Sequence, residues 1–264
     1  MQSLTKLYIG SRRLRPDGFK TVDIDPANEP DFLADLCDMA VVPSGSCCEV
    51  IASHILEHIE WPQAFTAFSE LVRVLASGGE LKVAVPDMAS LMTMLAREET
   101  VFSVMASVYG GVGLNNRYEQ HRFGYTAPML MDILSVLGMG GFTWWNSTRP
   151  EAANGWLYGS DGVRVGTSLN LSAKKAVEVP PSLIQEIKRG LEKRPIADFF
   201  SVVAESVGAF APDHATAPYL YQHIHFQLID AHQRIKYLEE RLSDGEGRLS
   251  DGWVTRMKRY LSKC

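Results

Sequence analysis

Cysteine is scarce. Among 264 residues there are four, Cys37, Cys47, Cys48 and Cys264, and no two of them stand in C-x-x-C spacing. The density is far below that of a stapled secreted domain, so reduced thiols are expected, and Cys47 and Cys48, inside an apolar run, read as packing residues of a buried strand. Positive charge is also in deficit, with 26 Lys and Arg against 31 Asp and Glu and a formal net charge of −5. The basic balance of a general nucleic-acid binder is therefore missing, and no nucleic-acid partner is expected. No stretch approaches the roughly 18 uninterrupted apolar residues of a spanning helix, and the polar start MQSLTK is not followed by the apolar segment of a signal peptide. The expected compartment is the cytoplasm. What is abundant is apolar material, 46 % of the chain, which suffices for one sizeable core or a core with an appendage.

Up to about residue 175, short β-rich runs alternate with helical patterns, the signature of a parallel sheet flanked by helices. Strands are predicted at residues 6–10 (KLYIG), 19–25 (FKTVDID), weakly at 32–36, and at 47–53 (CCEVIAS). Only about ten residues separate the first two, so their connection is read as a loop or single turn. Residues 54–59 open an amphipathic stretch. From 62 to 75 the apolar positions Ala64, Phe65, Phe68, Leu71, Val72 and Leu75 recur at three and four residues and predict a helix, which Ser77, Gly78 and Gly79 stop before the strand LKVAV at 81–85. Helices follow at 88–108 and 126–137, then strands at 142–147 and 168–173, with Gly138 to Gly141 ending the preceding helix. Pro180 and Pro181 mark a boundary, beyond which the chain reads as helical at 182–193, 196–210 and 218–243.

Open α/β sheets bind ligands beyond the carboxyl ends of their strands, at the switch point in strand order. Here those ends carry Gly10, where a missing Cβ permits close approach, Asp23 and Asp25, Asp35, then Ser53 and His54, and finally Pro86 and Asp87. Carboxylates can accept hydrogen bonds from ribose hydroxyls, so this edge suits a nucleoside-like ligand. Taken singly, each acid also reads as a turn residue, and His54 as a histidine bonded within its own helix start.

The segments YIGSRRLRPDGFKTVDID, ADL (34–36), IASHILEHI (51–59), ELVRVLASGGELKVAVPD (70–87) and HRFGYT (121–126) together resemble the class I S-adenosylmethionine-dependent methyltransferases, in particular a bacterial branch with a short first crossover. The likeness covers about residues 6–175. It implies an α/β, Rossmann-like methyltransferase fold with a mostly parallel seven-stranded sheet and flanking helices at 1–178, followed by a helical extension at 179–264. It further implies S-adenosylmethionine as cofactor, with Gly10 against its methionine part, Asp23 on the ribose, Asp35 near the adenine, and Ser53 and His54 lining the pocket. The family's first loop normally reads glycine, any residue, glycine; here Arg12 stands at the second glycine, with Arg13 and Arg15 nearby. An arginine there would take a left-handed conformation and place charge beside a sulfonium, unless the guanidinium points outward or holds an anionic acceptor.

For a catalyst of this kind the reaction is in-line methyl transfer, dominated by alignment and exclusion of water, with His54, His58 and His121 as candidate bases. His54 and His121 are the expected catalytic pair. On a helical register His54 and His58 share a face and resemble half a metal site, but HILEH is not HExxH, so no metal is expected. Glu57 is expected to face solvent or cap the turn. The stretch 109–126, with Tyr118, His121, Phe123 and Tyr125, could cover an acceptor, and by analogy with the polysaccharide-linked family branch that acceptor is a small molecule or a saccharide hydroxyl. The rival reading is a chain that keeps the fold as a binding or scaffold protein without turnover.

In the extension, Leu228, Ile235 and Leu242 fall seven apart, with Ala231 and Leu238 between them and Leu249 in phase, a short coiled-coil seam pointing to homo-oligomerisation or to packing on its own domain. RLSDG recurs at 241–245 and 248–252 in the same phase, with glycines that weaken a helix. The basic, amphipathic end WVTRMKRYLSKC admits weak contact with an anionic membrane surface, or a solvated terminus.

Overall fold

β-branched and aliphatic residues in the first ninety positions build a parallel sheet from its centre outward. In this computed structural model the described residues are 4–96, 101–111, 119–145, 156–158 and 164–210. The chain divides into two compact units, Met1–Glu178 and Val179–Cys264. The first runs through β1 (Thr5–Ile9), β2 (Lys20–Asp23), β3 (Phe32–Leu33), β4 (Cys47–Ser53), α1 (Gln63–Val74), β5 (Leu75–Pro86), α2 (Met88–Ala96), α3 (Val101–Tyr109), α4 (Ala127–Val136), β6 (Met139–Trp144), β7 (Trp156–Tyr158), β8 (Arg164–Gly166) and β9 (Ser168–Lys175).

Seven strands form one sheet in the order β3-β2-β1-β4-β5-β9-β6. The first five run parallel, and β9 is antiparallel to both of its neighbours. The mostly parallel seven-stranded sheet with flanking helices expected from the sequence is thus observed. Leu7, Val50, Ala52, Leu81 and Val83 are fully buried on one face of these strands, and Tyr8 and Ala84 are buried on the other, as a sheet covered on both faces requires. One face of α1 supplies Phe65, Phe68 and Leu71 to the same core, all at 0 % exposure. At an average of about 25 cal/mol per Å2 of apolar surface, each such side chain contributes on the order of 2 kcal/mol. Arg73, at the end of α1, forks onto Glu70 and donates to the carbonyls of Met39 and Val42, which pins the 37–46 segment to the helix.

Between β1 and β2 there is no helix, in line with the short connection. Several boundaries differ from expectation. Instead of an amphipathic helical opening at 54–59 there is a single 3-10 turn, Leu56–His58. The predicted 88–108 helix is two helices, α2 and α3. Gly138 to Gly141 do not lie between elements: β6 starts at Met139 and takes in Gly140 and Gly141 at a register shift. β9 runs two residues past Ala173, because the buried Lys175 ammonium donates to the Leu75 carbonyl and pairs with Glu178 at 2.8 Å. The β7–β8 hairpin has no counterpart in the sequence reading.

The second unit, in its described part, contains α5 (Pro181–Leu191) and α6 (Phe199–Phe210), joined through a 3-10 turn at Ile196–Asp198. Leu183, Ile187 and Leu191 make the apolar stripe of α5, and Val202, Val203 and Val207 that of α6. The predicted 218–243 helix, its seam at Leu228, Ile235 and Leu242, the RLSDG repeats and the basic end lie outside the described residues. No described helix is long and apolar enough to cross a membrane.

Candidate functional site

The strand order reverses between β1 and β4, and a cleft of about 550 Å3 opens there, beyond the carboxyl ends of the parallel strands. Gly10, Asp23, Asp25, Asp35 and His54 all line it. The flush register explains the convergence: Ile9 pairs with Val22 on one side and Ala52 on the other, so the residues that follow emerge at one level. Ser53 and His121, both expected at the site, do not line the cleft.

Gly10 has φ +65°, and a Cβ there would lie 2.9 Å from Ile55 Cδ1. Its amide donates to the Val22 carbonyl, which closes the loop on β2. Asp23 is 7 % exposed and holds this corner: Oδ2 accepts from the Arg12 amide at 2.9 Å and Oδ1 from the Asp25 amide at 2.9 Å. Each oxygen thereby uses one acceptor site and keeps capacity for a further donor. Asp25 bonds its own turn through the Ala27 amide, and Asp35 does the same with the Cys37 amide. The cleft's acids, Asp23, Asp25, Asp35, Glu60 and Glu119, outnumber its two arginines, Arg12 and Arg122.

Arg12 does take the left-handed conformation, φ 51°, that the missing glycine demands. Its guanidinium does not enter the cleft as a free charge. The side chain is 70 % exposed and forms a two-pronged ion pair with Glu119 at 2.8 and 2.9 Å. Arg15 likewise spends its donors on the carbonyls of Leu14, Asn28 and Glu29.

His54 follows β4 directly and also has a left-handed backbone, φ 51°. Such a residue costs about 1–2 kcal/mol relative to the right-handed region, and the surroundings hold it there. Its amide donates to the Ala84 carbonyl, Nδ1 lies 3.0 Å from Glu57 Oε1, and Nε2 lies 3.0 Å from Ser168 Oγ. Ser168 arrives through the antiparallel pairing of β9 with β5, where it faces Pro86.

Glu57 overturns its expected place. It neither faces solvent nor caps the turn: it is 1 % exposed, behind the cleft wall, and its Oε2 has no hydrogen-bond partner. Nor do His54 and His58 share a helical face. The 3-10 turn sends His58 to His121, with ring centroids 5.0 Å apart and edge-on. His58 Nδ1 is 3.0 Å from the Gln120 carbonyl, and His121 Nδ1 is 2.9 Å from the Ser107 carbonyl. Burial lowers the His121 pKa below the ordinary imidazole value, more than nearby Glu57 restores it.

No protein-family model matches this sequence, nor does any curated protein. Among solved structures, the chain is similar to a SAM-dependent methyltransferase from Archaeoglobus fulgidus, at 13 % identity over 66 % of this chain and 87 % of that one, with a TM-score of 0.45. It is also similar to a SAM-dependent methyltransferase from Methanosarcina mazei (14 % identity, 67 % and 95 % covered, TM-score 0.42) and to a possible histamine N-methyltransferase from Thermotoga maritima (19 % identity, 64 % and 81 % covered, TM-score 0.41). At such identities and scores these likenesses carry neither fold nor function; the fold is described by the strand order.

The aromatic cover expected at 109–126 is largely inverted. Phe123 stacks on Trp61 with centroids 5.7 Å apart, and Tyr125 is fully buried with its hydroxyl donating to the Leu56 carbonyl. Burial raises the Tyr125 pKa, so that phenol stays protonated. Tyr118 lies outside the described residues. Two functional candidates escaped the sequence reading. Glu57 was marked only by being the one acid in SHILEHI, between two histidines, and Ser168, 114 residues from His54, had no local signal at all.

Proposed function

We propose that this protein transfers a methyl group from S-adenosylmethionine to a hydroxyl of a small-molecule or saccharide acceptor. The observation that carries the reading is the corner formed by Gly10 and Asp23: a loop whose glycine admits no side chain, beside a carboxylate held by two main-chain amides at the switch point. Asp23 keeps acceptor capacity for vicinal ribose hydroxyls, and Asp35 stands further along the same wall. The excess of acids over arginines in the cleft favours a cationic ligand, because paired opposite charges offset desolvation. When bound, the cofactor supplies an electrophilic methyl on a sulfonium, which leaves as a neutral thioether when the acceptor oxygen attacks.

The chain's own contribution is orientation and proton handling. His54 lines the cleft, and its Nδ1 contact with buried Glu57 fixes the ring; the Ser168 hydroxyl gives its one proton to Asn170 Oδ1 and so accepts from His54 Nε2, which leaves Nδ1, facing Glu57, as the nitrogen that shares a proton with the carboxylate. A hydroxyl proton released as the oxygen–carbon bond forms can pass to the His54–Glu57 pair. His121 stands behind, near Glu57, and acts through it. The saccharide class is supported by the resemblance of the sequence to a polysaccharide-linked branch; among the described residues no Phe, Tyr or Trp side chain lines the cleft.

Arg12 supports a second reading, a binding or scaffold protein that has kept the fold and lost turnover, because it occupies the close-approach position and spans to Glu119. Calorimetric titration with S-adenosylmethionine and S-adenosylhomocysteine separates the two. Micromolar binding that disappears in Asp23→Ala is the expected result. Absence of binding by the unmodified chain would leave the scaffold reading.

A further inference from the structure

Behind the cleft wall, three side chains from two separate parts of the chain converge on one point. Glu57 and His58 come from the turn after β4, and His121 from the segment before α4. One ligand-capable atom of each lies within 4.8 Å of the others. The Glu57 carboxyl is nine-tenths buried and more, its Oε1 is 4.0 Å from His121 Nε2, and its Oε2 has no hydrogen-bond partner. A buried carboxylate with an unmatched oxygen costs several kcal/mol unless a cation or donor offsets it. We propose that Glu57, His58 and His121 bind a divalent transition ion of the zinc class.

The tautomers of both imidazoles suit ligands. A carbonyl oxygen only accepts, so the contacts of His58 Nδ1 with Gln120 and of His121 Nδ1 with Ser107 place a proton on each Nδ1 and leave each Nε2 with a free lone pair. Metal-bound histidines are held in just this way, with the second ring nitrogen donating to a carbonyl or carboxylate. His54 completes the outer layer by contacting Glu57 Oε1 at 3.0 Å. The ring of His121 is also seated by shape. Gly110, at φ +66°, lies flat against it, and a Cβ there would meet His121 Cδ2 at 2.6 Å. Two imidazoles and one carboxylate are a frequent zinc donor set, and a shift of under about 1 Å per group brings them to bonding distance around one ion. The ion would tie the 119–123 segment to the exit of β4, with His58 as the residue common to this cluster and the cleft. The site does not rest on methyl transfer and stands or falls separately.

The test uses the full chain, stripped with chelator and titrated with zinc chloride. One equivalent is expected to bind and to raise the unfolding midpoint, and chelator should reverse both. His121→Asn and His58→Asn should each weaken zinc by about tenfold or more. The sequence also holds His223 and His225 in H-x-H spacing, so a His223→Ala/His225→Ala double variant is titrated alongside and should bind zinc like the unmodified chain. Should the single variants misfold, the zinc absorption fine structure of the unmodified protein decides, with two imidazoles and oxygen neighbours expected. Sulfur neighbours, zinc binding lost in the double variant, unaltered binding in His121→Asn, or no stoichiometric binding by the unmodified chain would each overturn the proposal.

Discussion

The cleft at the strand ends and the cluster behind its wall are built from the same residue types and treat their acids in opposite ways. In the cleft, Asp23 is held by two main-chain amides and still opens to solvent on one side, so its charge is supported whether or not a ligand is present. Behind the wall, Glu57 is sealed from water among three histidines with one oxygen unmatched. The first arrangement suits a ligand that comes and goes. The second lacks part of its own charge balance, which points to a resident cation. A polar group fixed by backbone donors is therefore pre-organised, whereas a buried one with a missing partner reports an occupant.

Crossing the two sites gives the largest expected effects. Asp23→Ala removes a charged acceptor from the ribose position and one anchor of the Arg12 amide; losing one or two charge-assisted hydrogen bonds weakens S-adenosylhomocysteine by about 100-fold in calorimetry. Zinc affinity in the same variant should be unchanged. His121→Asn should show the reverse pattern, zinc weakened and S-adenosylhomocysteine binding within about twofold of the original. Loss of both ligands in either variant would mean that the two regions are one site.

Gly10→Ala comes next. The left-handed conformation costs an alanine about 1 kcal/mol or more, and displacing Ile55 adds about 1–3 kcal/mol of overpacking. Urea unfolding should show a loss of about 2–4 kcal/mol with an unchanged m-value, and cofactor binding should fall with it. A loss below about 0.5 kcal/mol would show that the loop relaxes around the new methyl, and that Gly10 does not shape the cleft.

The sheet and the cleft were legible in the sequence for a common reason: both depend on strands with period-two or continuous apolar patterns, and on acids at their carboxyl ends. Asp23, Asp35, Gly10 and His54 follow from strand position alone, which is why they meet in one cleft. What was not legible depends on tertiary pairing. A 3-10 turn and a helix opening have the same local composition at 54–59, so the directions of Glu57 and His58 were set by packing and not by propensity. Ser168 reaches His54 only through the antiparallel β5–β9 register, and Tyr125 turned inward because a core position was there to be filled.

A third acid sharpens the contrast between supported and unsupported carboxylates. Glu49, half-buried in β4, has its cations within the chain: Lys6 Nζ at 2.8 Å and Lys82 Nζ at 2.7 Å. Burial pushes its pKa up, but the hydrogen bonds from the two lysines outweigh that and hold it below the ordinary range. Hydrogen bonding to Glu49 raises Lys6, and Glu49 raises Lys82 against the opposing effect of burial. For Glu49 the lowered folded value means that its stabilisation is present above the unfolded carboxyl value, near 4.3, and is lost as pH falls through the folded one. For the lysines the raised folded values mean that theirs is present below about 10.4 and is lost as pH rises beyond it. Glu49→Gln should cost about 1 kcal/mol at neutral pH, since the lysines are partly solvated, and should flatten both ends of the stability curve measured by urea midpoints. A curve of unaltered slope at both ends would assign the pH dependence to other groups.

The smallest expected change in stability falls at the position most informative about the cleft. Arg12→Gly relieves a left-handed arginine, worth about 1 kcal/mol, but loses the exposed ion pair to Glu119, worth about 0.2–1 kcal/mol, and frees the unfolded chain by about 0.4–1 kcal/mol. These offset, so the unfolding free energy should stay within about 1 kcal/mol. Cofactor affinity is not bound by that cancellation. If the guanidinium only spans the rim, the glycine should leave S-adenosylmethionine binding within about threefold, because the Arg12 amide on Asp23 survives the substitution. If the arginine blocks the cleft, binding absent from the unmodified chain should appear in the variant. A single titration thus decides whether the left-handed arginine accommodates a cofactor or has replaced one.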